Sequence, residues 1–171
     1  AVAERAYQLA LAYAQERVQS RSMAGGREPV AIIQHPDVRR MLLVQKATLA
    51  AQRALYLQAA AALDYAHHHP DAEQRAAAQA RLGYLIPIVK AWCSDNGTTL
   101  TNLAMQVFGG MGYIEETGLA QLVRDVRITA IYEGTNGLHA LDLAGRKTSA
   151  DQGRRAAMLL DEGERVAAEP P

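Results

Sequence analysis

The chain has 171 residues, a length that suits one domain with a single buried core. Its 18 basic and 18 acidic residues give a formal net charge of zero, so we expect neither a nucleic-acid partner nor a membrane partner. The single cysteine, Cys93, cannot form an internal disulfide, and no apolar run approaches membrane-spanning length. These features favour a cytoplasmic location, with the mitochondrial matrix as the alternative.

The first helix is predicted from the start of the chain to about Arg21. Small and apolar residues share one face of it at alternating four- and three-residue spacing, and the stripe ends on Arg17. A guanidinium in that position needs a structural carboxylate, a bound anion or a solvent-exposed rim. Because the chain opens at Ala1 already in a helical pattern, we expect it to be a fragment of a longer protein.

A second helix is predicted to begin at His35-Pro36-Asp37 and to run for about seven turns. Its seam is Val38, Leu42, Gln45, Leu49, Gln52, Tyr56, Ala59 and Leu63. Polar residues on such a seam fix the helix register or face another subunit, so self-association is expected. The three histidines at 67–69 lack the spacing of metal ligands, and they predict a solvated loop rather than a metal site.

A third helix is predicted over about 71–108. Asp71 and Gln74 have capping-box spacing at its start, and Pro87 is a possible kink. The four-and-three seam continues through Asn96-Gly97-Thr98-Thr99, where local propensity alone predicts a loop. We therefore expect one long helix.

A glycine-rich segment, Gly109-Gly110-Met111-Gly112, follows this helix rather than a strand. It therefore cannot be the phosphate turn of a strand-turn-helix dinucleotide fold. Its glycines would allow close approach of a ligand to the backbone, with Gln106 on the last helical turn pointing toward that ligand. A simple helix stop is the alternative.

Farther along, Arg124 and Asp125 are predicted to form a surface or interhelical ion pair.

The stretch RDVRITAIYEGTNG places Glu133 between an apolar pair and Gly134. Thr135 is predicted to cap a following helix with Leu138, Leu141 and Ala144 on its inner face. Glu133 would then lie just ahead of a helix N-terminus, where its charge is favoured. Covered by an apolar ligand, this carboxylate would be a proton acceptor; alone, it would only stabilise the helix. From the spacing by itself, the second interpretation is favoured.

Three runs in this order, YAQERVQSR, MQVFGGMGY and IYEGTNGLHALDLAGRK, resemble the C-terminal helical domain of the acyl-CoA dehydrogenases, up to about Lys147. The run TNGLHALDLAGRK looks most like the branch that includes 3-methylmercaptopropionyl-CoA dehydrogenase. The resemblance implies an FAD cofactor, an acyl-CoA substrate and an electron acceptor such as an electron-transferring flavoprotein. It also implies that an N-terminal helical domain and a middle β domain lie outside this chain.

The same resemblance assigns roles to single residues. Glu133 falls on the catalytic base of the IYEGT motif, which removes the α-proton of the acyl group while a hydride leaves the β-carbon for the flavin. The residues assigned to flavin binding are Arg17, Gln106, Gly109, Gly110, Thr135 and Asn136. The segment SRSMAGGREPVAII departs from the family pattern, because it is longer and lacks the usual Phe-Gly.

The amphipathic stretches, with no two-residue alternation and 5% aromatic residues, predict an all-α, up-and-down helical bundle. We expect the bundle to span residues 1–147 and residues 148–171 to form a loosely attached helix or a disordered tail. Two functions stay open. The chain belongs to an FAD-dependent dehydrogenase that works as a homodimer or homotetramer, or it is a non-catalytic helical module for oligomerisation.

Overall fold

The computed structural model describes residues 1–169, and within them the chain is almost entirely helical, as predicted. Seven α-helices lie in this described part: α1 Val2–Glu16, α2 Pro36–His68, α3 Ala72–Phe108, α4 Gly110–Tyr113, α5 Leu119–Arg127, α6 Asn136–Leu141 and α7 Arg154–Ala168. A π-helical turn, Asp142–Lys147, continues α6. Pro170 and Pro171, the end of the predicted tail, lie outside the described residues.

The chain forms two compact units. Unit 1 consists of Ala1–Ala54 and Trp92–Tyr132, and unit 2 consists of Leu55–Ala91 and the chain from Glu133 onward. Helices α2 and α3 therefore contribute residues to both units. The core of unit 1 is built on the small residues of α1, because alanines let neighbouring helices approach closely. Its buried members include Ala6, Ala10, Ala14, Leu42, Leu49, Leu100, Ala104 and Leu119.

The two glutamines on the α2 seam form hydrogen bonds inside unit 1. Gln45 is fully buried and donates to the Met41 carbonyl at 3.2 Å. Gln52 donates to the Cys93 carbonyl of α3 at 3.1 Å. The bond from Gln52 fixes the register of α2 against α3, which is the first of the two roles predicted for seam glutamines.

The second half of the predicted α2 seam is wrong. Tyr56 and Leu63 are exposed, and Ala62 is buried instead of Leu63. From Leu55 onward the helix belongs to unit 2, so the residues that it buries there pack against a different set of neighbours from those in its first half.

The first helix is five residues shorter than predicted. α1 ends at Glu16, Arg17 is extended (φ −70°, ψ 116°), and the next residues form strand β1, Val18–Arg21. β1 pairs antiparallel with β2, Pro29–Ala31, across the loop that contains Gly25 and Gly26. The Ile32 amide donates to the Arg17 carbonyl at 2.8 Å. This pairing across the loop outweighs the weak helical periodicity of the last turn, and it adds one short hairpin to an otherwise helical fold.

The long third helix is confirmed, including the stretch from Asn96 to Thr99. Polar side chains there bond to carbonyls of the preceding turn: Asn96 to Trp92 at 2.8 Å and Thr101 to Gly97 at 3.0 Å. Gly97 is required by packing, since a Cβ at this position would lie 2.8 Å from a methyl group of Val126 in α5. The residues that suggested a loop therefore serve helix packing.

The start of α3 follows the prediction in part. Asp71 accepts a hydrogen bond from the Glu73 amide at 2.8 Å, as an N-cap residue does. The Asp71 amide donates to the His69 ring at 3.2 Å. In a capping box this amide would donate to the side chain of Gln74 instead. The loop predicted for the histidines is wrong for His67 and His68, which form the last turn of α2.

Arg124 pairs with a different acid from the one predicted. Its guanidinium donates two bonds to Glu115, at 2.9 and 2.7 Å, while Asp125 accepts from Gln121. The hydrogen bonds from Arg124 hold the pKa of Glu115 below its usual value. Both side chains are exposed, so this surface ion pair adds little stability.

In unit 2, α7 contacts α3 through an ion pair. The Arg81 guanidinium donates to both carboxylate oxygens of Glu162, at 2.7 and 3.1 Å. Hydrogen bonding to Arg81 is the main cause that lowers the pKa of Glu162. This bidentate pair joins the chain beyond Lys147 to α3.

Gly112 is expected to be intolerant of substitution. A Cβ there would lie 2.6 Å from the Met105 carbonyl oxygen and 2.9 Å from the Phe108 Cβ. Because backbone atoms cannot give way cheaply, Gly112→Ala should lower the free energy of unfolding by about 1–3 kcal/mol. Gly110→Ala is the matched control in the same short helix, since a Cβ there meets nothing within 4 Å. Urea unfolding of the two variants should separate them; equal stability would contradict this packing.

Candidate functional site

The candidate base, Glu133, lies in an unusual backbone turn. Glu133 and Gly134 both have left-handed backbone angles, with φ of 55° and 86°. Glycine adopts this conformation freely, but a glutamate there is strained, and such strain persists only where the surroundings enforce it. The Glu133 carboxylate is exposed. The turn therefore presents an acid group at a fixed place on the surface of unit 2.

Side chains from two elements hold this turn. Lys90 of α3 donates to the Gly134 carbonyl at 2.7 Å and to the Asn136 Oδ1 at 3.0 Å. The Asn136 Nδ2 donates to the Ala91 carbonyl at 3.2 Å. His139 donates from Nε2 to the Glu133 carbonyl at 3.2 Å. The carbonyls of both left-handed residues are thus each engaged by a side chain.

The helix after the turn begins where predicted, with Thr135 at the N-cap and Glu133 just ahead of it. Thr135 accepts the first helical bonds with its main-chain carbonyl and makes no cap bond with its hydroxyl. The predicted inner face is wrong: Leu138 and Leu141 are 59% and 67% exposed, and Ala144 is exposed as well. Helix α6 is attached to α3 through the polar side chain of Asn136, and its leucines are exposed.

A separate cleft in unit 1 contains three of the predicted flavin-binding residues. Arg17, Gln106 and Gly109 line a cavity of about 240 Å³. Other lining residues are Tyr13, Gln19, Ser20, His35 and Phe108. Tyr13 and Phe108 stack with ring centroids 4.1 Å apart, and His35 donates to the Gln19 carbonyl at 2.8 Å. The cleft therefore combines a guanidinium and a side-chain amide beside two stacked rings.

The glycines at the cleft suit a ligand that approaches the backbone. Gly109 has φ 62° and ψ −142°, which only glycine adopts readily, and a Cβ at Gly109 or Gly110 would meet nothing within 4 Å. An anionic group that needs a cation, an amide donor and an unobstructed backbone fits this donor set. The residues therefore fit the pyrophosphate of FAD, the cofactor whose binding is predicted for them.

The structure places the predicted residues in two groups. Arg17, Gln106 and Gly109 share the cleft, with Gly110 next along the chain, whereas Glu133, Thr135 and Asn136 belong to unit 2. The side-chain amide of Asn136 is engaged by Lys90 and Ala91.

Three residues of these sites are not predicted from the sequence: Lys90, His139 and His35. The contacts of Lys90 span 44 and 46 residues, so no local pattern reveals them. His139 could have been noticed, because a histidine one turn into the helix can reach back to the second residue before its cap, here Glu133.

Across residues 1–169, no helix combines the length and the apolarity that crossing a bilayer requires.

Comparison with known proteins gives consistent matches. Residues 1–148 match the family model described as acyl-CoA dehydrogenase, C-terminal domain. The chain is 51% identical over 157 residues to 3-methylmercaptopropionyl-CoA dehydrogenase of Ruegeria pomeroyi, covering 91% of this chain and 26% of that protein. It is 39% identical over 149 residues to a butyryl-CoA dehydrogenase of Syntrophomonas wolfei, covering 86% of this chain and 24% of that protein.

A solved structure supports the same fold. The structure of butyryl-CoA dehydrogenase from Megasphaera elsdenii matches with a TM-score of 0.66 and 30% identity, covering 84% of this chain and 32% of that one. The predicted helical fold is thereby confirmed. The chain spans about a quarter of the length of the curated relatives that it matches.

Proposed function

We propose, since the chain belongs to the acyl-CoA dehydrogenase family and corresponds to its C-terminal domain, that it is part of an FAD-dependent enzyme. The reaction is the α,β-dehydrogenation of an acyl-CoA thioester. The observation that carries the proposal is Glu133, an exposed carboxylate on a strained turn held by Lys90 and His139. In this proposal an N-terminal helical domain and a middle β domain complete the enzyme.

Glu133 has the chemistry of the base in this reaction. The α-proton of a thioester is acidic because the adjacent carbonyl accepts the charge as the proton leaves. The Glu133 carboxylate takes that proton, and its own main-chain N–H is assigned to the thioester oxygen, where it stabilises the developing charge. The anchored backbone matters here, because proton transfer requires the two heavy atoms to come within hydrogen-bonding distance.

The flavin, when bound, accepts the hydride that leaves the β-carbon. In our proposal Arg17 and Gln106 hold its pyrophosphate in the cleft, while Gly109 and Gly110 let the ligand approach the main chain. Thr135 and Asn136 are assigned to the flavin through their place two and three residues after the base.

The relatives suggest which substrates to try first. The 51% identical protein is named for 3-methylmercaptopropionyl-CoA, and a second relative is named for butyryl-CoA. We propose a short acyl-CoA substrate, with an electron-transferring flavoprotein as the acceptor and a cytoplasmic location. The test is reduction of a dye acceptor by the protein assembled with its remaining domains. Flavin that bleaches with either substrate supports the enzyme, whereas a colourless protein that still oligomerises supports a non-catalytic helical module.

Self-association is expected because α2 exposes large apolar side chains. Leu43, Leu57 and Tyr65 are all more than half exposed on this helix. Exposed apolar groups of this size favour burial against a partner. Light scattering at micromolar concentration should therefore give the mass of a homodimer or homotetramer. A monomer at that concentration would contradict the expectation.

A further inference from the structure

We propose that Lys90 is a positioning residue for Glu133: its ammonium group ties the turn that carries the base to the long helix α3. This inference rests on the proposed function, because a positioning role has meaning only if Glu133 is the base. Lys90 lies 43 residues before Glu133 in the sequence. It therefore lies outside the IYEGT stretch, on a separate helix.

The hydrogen bonds around the turn form a closed arrangement. Lys90 donates to the Gly134 carbonyl at 2.7 Å and to Asn136 Oδ1 at 3.0 Å. The Asn136 Nδ2 returns to α3 through the Ala91 carbonyl at 3.2 Å. Two adjacent residues of α3, Lys90 and Ala91, thus hold both the turn and Asn136, the first residue of α6. An arrangement of several mutually supporting polar contacts resists distortion more than a single bond does.

These bonds orient the two peptide planes that follow Glu133. The peptide plane that follows Glu133 is oriented by the bond from His139 to the Glu133 carbonyl. The next peptide plane is oriented by the bond from Lys90 to the Gly134 carbonyl. With φ at 55°, Glu133 itself lies in a region of backbone angles that a residue other than glycine seldom occupies without support from its surroundings. The two planes lie on either side of Gly134, so fixing both of them fixes the backbone of the residue directly after the base.

Lys90 differs from His139 in what it is attached to. His139 lies in α6 itself, so its bond to Glu133 moves with the segment. Helix α6 has only six residues, and its leucines are exposed, so apolar packing contributes little to its placement. Lys90 belongs to the 37-residue helix α3. Its charged side chain connects the turn to this helix.

The inference is tested with three variants. Lys90→Met keeps the aliphatic stem and removes the donors, Lys90→Arg keeps a cation with several donors, and Lys46→Met is the control at an exposed lysine of α2. In the chain itself, amide hydrogen exchange over residues 133–139 should be at least about tenfold faster in Lys90→Met than in Lys46→Met. Unchanged exchange would overturn the inference.

The second readout is kinetic and uses the enzyme with its flavin. A displacement of about 1 Å at a reacting group can cost up to about a hundredfold, so Lys90→Met should lower kcat by about tenfold to a hundredfold. The KM and the flavin content should stay near those of the parent enzyme, and Lys90→Arg should recover most of the rate. An unchanged kcat, or a loss of rate explained entirely by lost flavin or lost fold, would overturn the inference.

Glu133→Gln, measured in parallel, separates the two claims. If Glu133→Gln is slow and Lys90→Met is as fast as the parent, the positioning role fails and the proposed function stands. If Glu133→Gln is as fast as the parent, the proposed base fails, and the positioning role fails with it.

Discussion

Replacing Glu133 with Gln should slow reduction of the bound flavin by about a hundredfold to ten-thousandfold, the usual cost of losing a general base. Glutamine keeps the shape of the side chain and its hydrogen-bonding reach, but it cannot accept the α-proton. Acyl-CoA should still bind and still perturb the flavin spectrum. Single-turnover mixing of enzyme with substrate, followed by flavin absorbance, measures the rate directly.

The control for this variant is Glu164→Gln, which makes the same chemical change at an exposed position of α7. It should reduce its flavin at the parent rate. Bleaching of Glu133→Gln at the parent rate would show that the base lies elsewhere.

An Arg17→Ala substitution should weaken flavin binding and leave the base intact, whereas Glu133→Gln removes the base and leaves binding intact. A charge-assisted hydrogen bond to a phosphate contributes about 1.5–3 kcal/mol, so the dissociation constant for FAD should rise by about tenfold to a hundredfold. Flavin released on dilution or gel filtration provides the measurement. Once the protein is saturated with added FAD, the rate of flavin reduction should return close to that of the parent.

Arg27→Ala is the matched control, since Arg27 is an exposed arginine in the loop between β1 and β2. It removes the same charge without touching the cleft residues. Equal flavin loss in both variants would mean that Arg17 acts only through the overall charge of the domain.

The long helices could be predicted from the sequence because their apolar periodicity extends over many turns. In α3 the apolar periodicity continues through Asn96 and Gly97 and outweighs the poor helix propensity of these two residues. In the structure, Asn96 bonds to a carbonyl of the preceding turn, and Gly97 leaves room for Val126. The cleft of Arg17 and Gln106 could be anticipated only through family resemblance, since the two residues lie 89 positions apart in the sequence.

Other features depended on contacts that no local pattern carries. Strand β1 forms because it pairs with β2 across a glycine loop. Helical periodicity does not show this pairing, so it predicted an α1 that was too long. The leucines of α6 suggested a buried face, but they are exposed, and the helix is attached to α3 through the polar side chain of Asn136. The role of Lys90 depends on bonds to residues more than 40 positions away, so only the folded chain reveals it.

The most direct test of Glu133 as the base is exchange of the substrate's α-protons with solvent. The enzyme is incubated in D₂O with an acyl-CoA whose β-carbon carries no hydrogen, so that removal and return of the α-proton is the only reaction open to it. Mass spectrometry of the recovered thioester should show deuterium entering with the parent enzyme, and at least about a hundredfold more slowly with Glu133→Gln. Exchange at the same rate in both proteins would contradict the account.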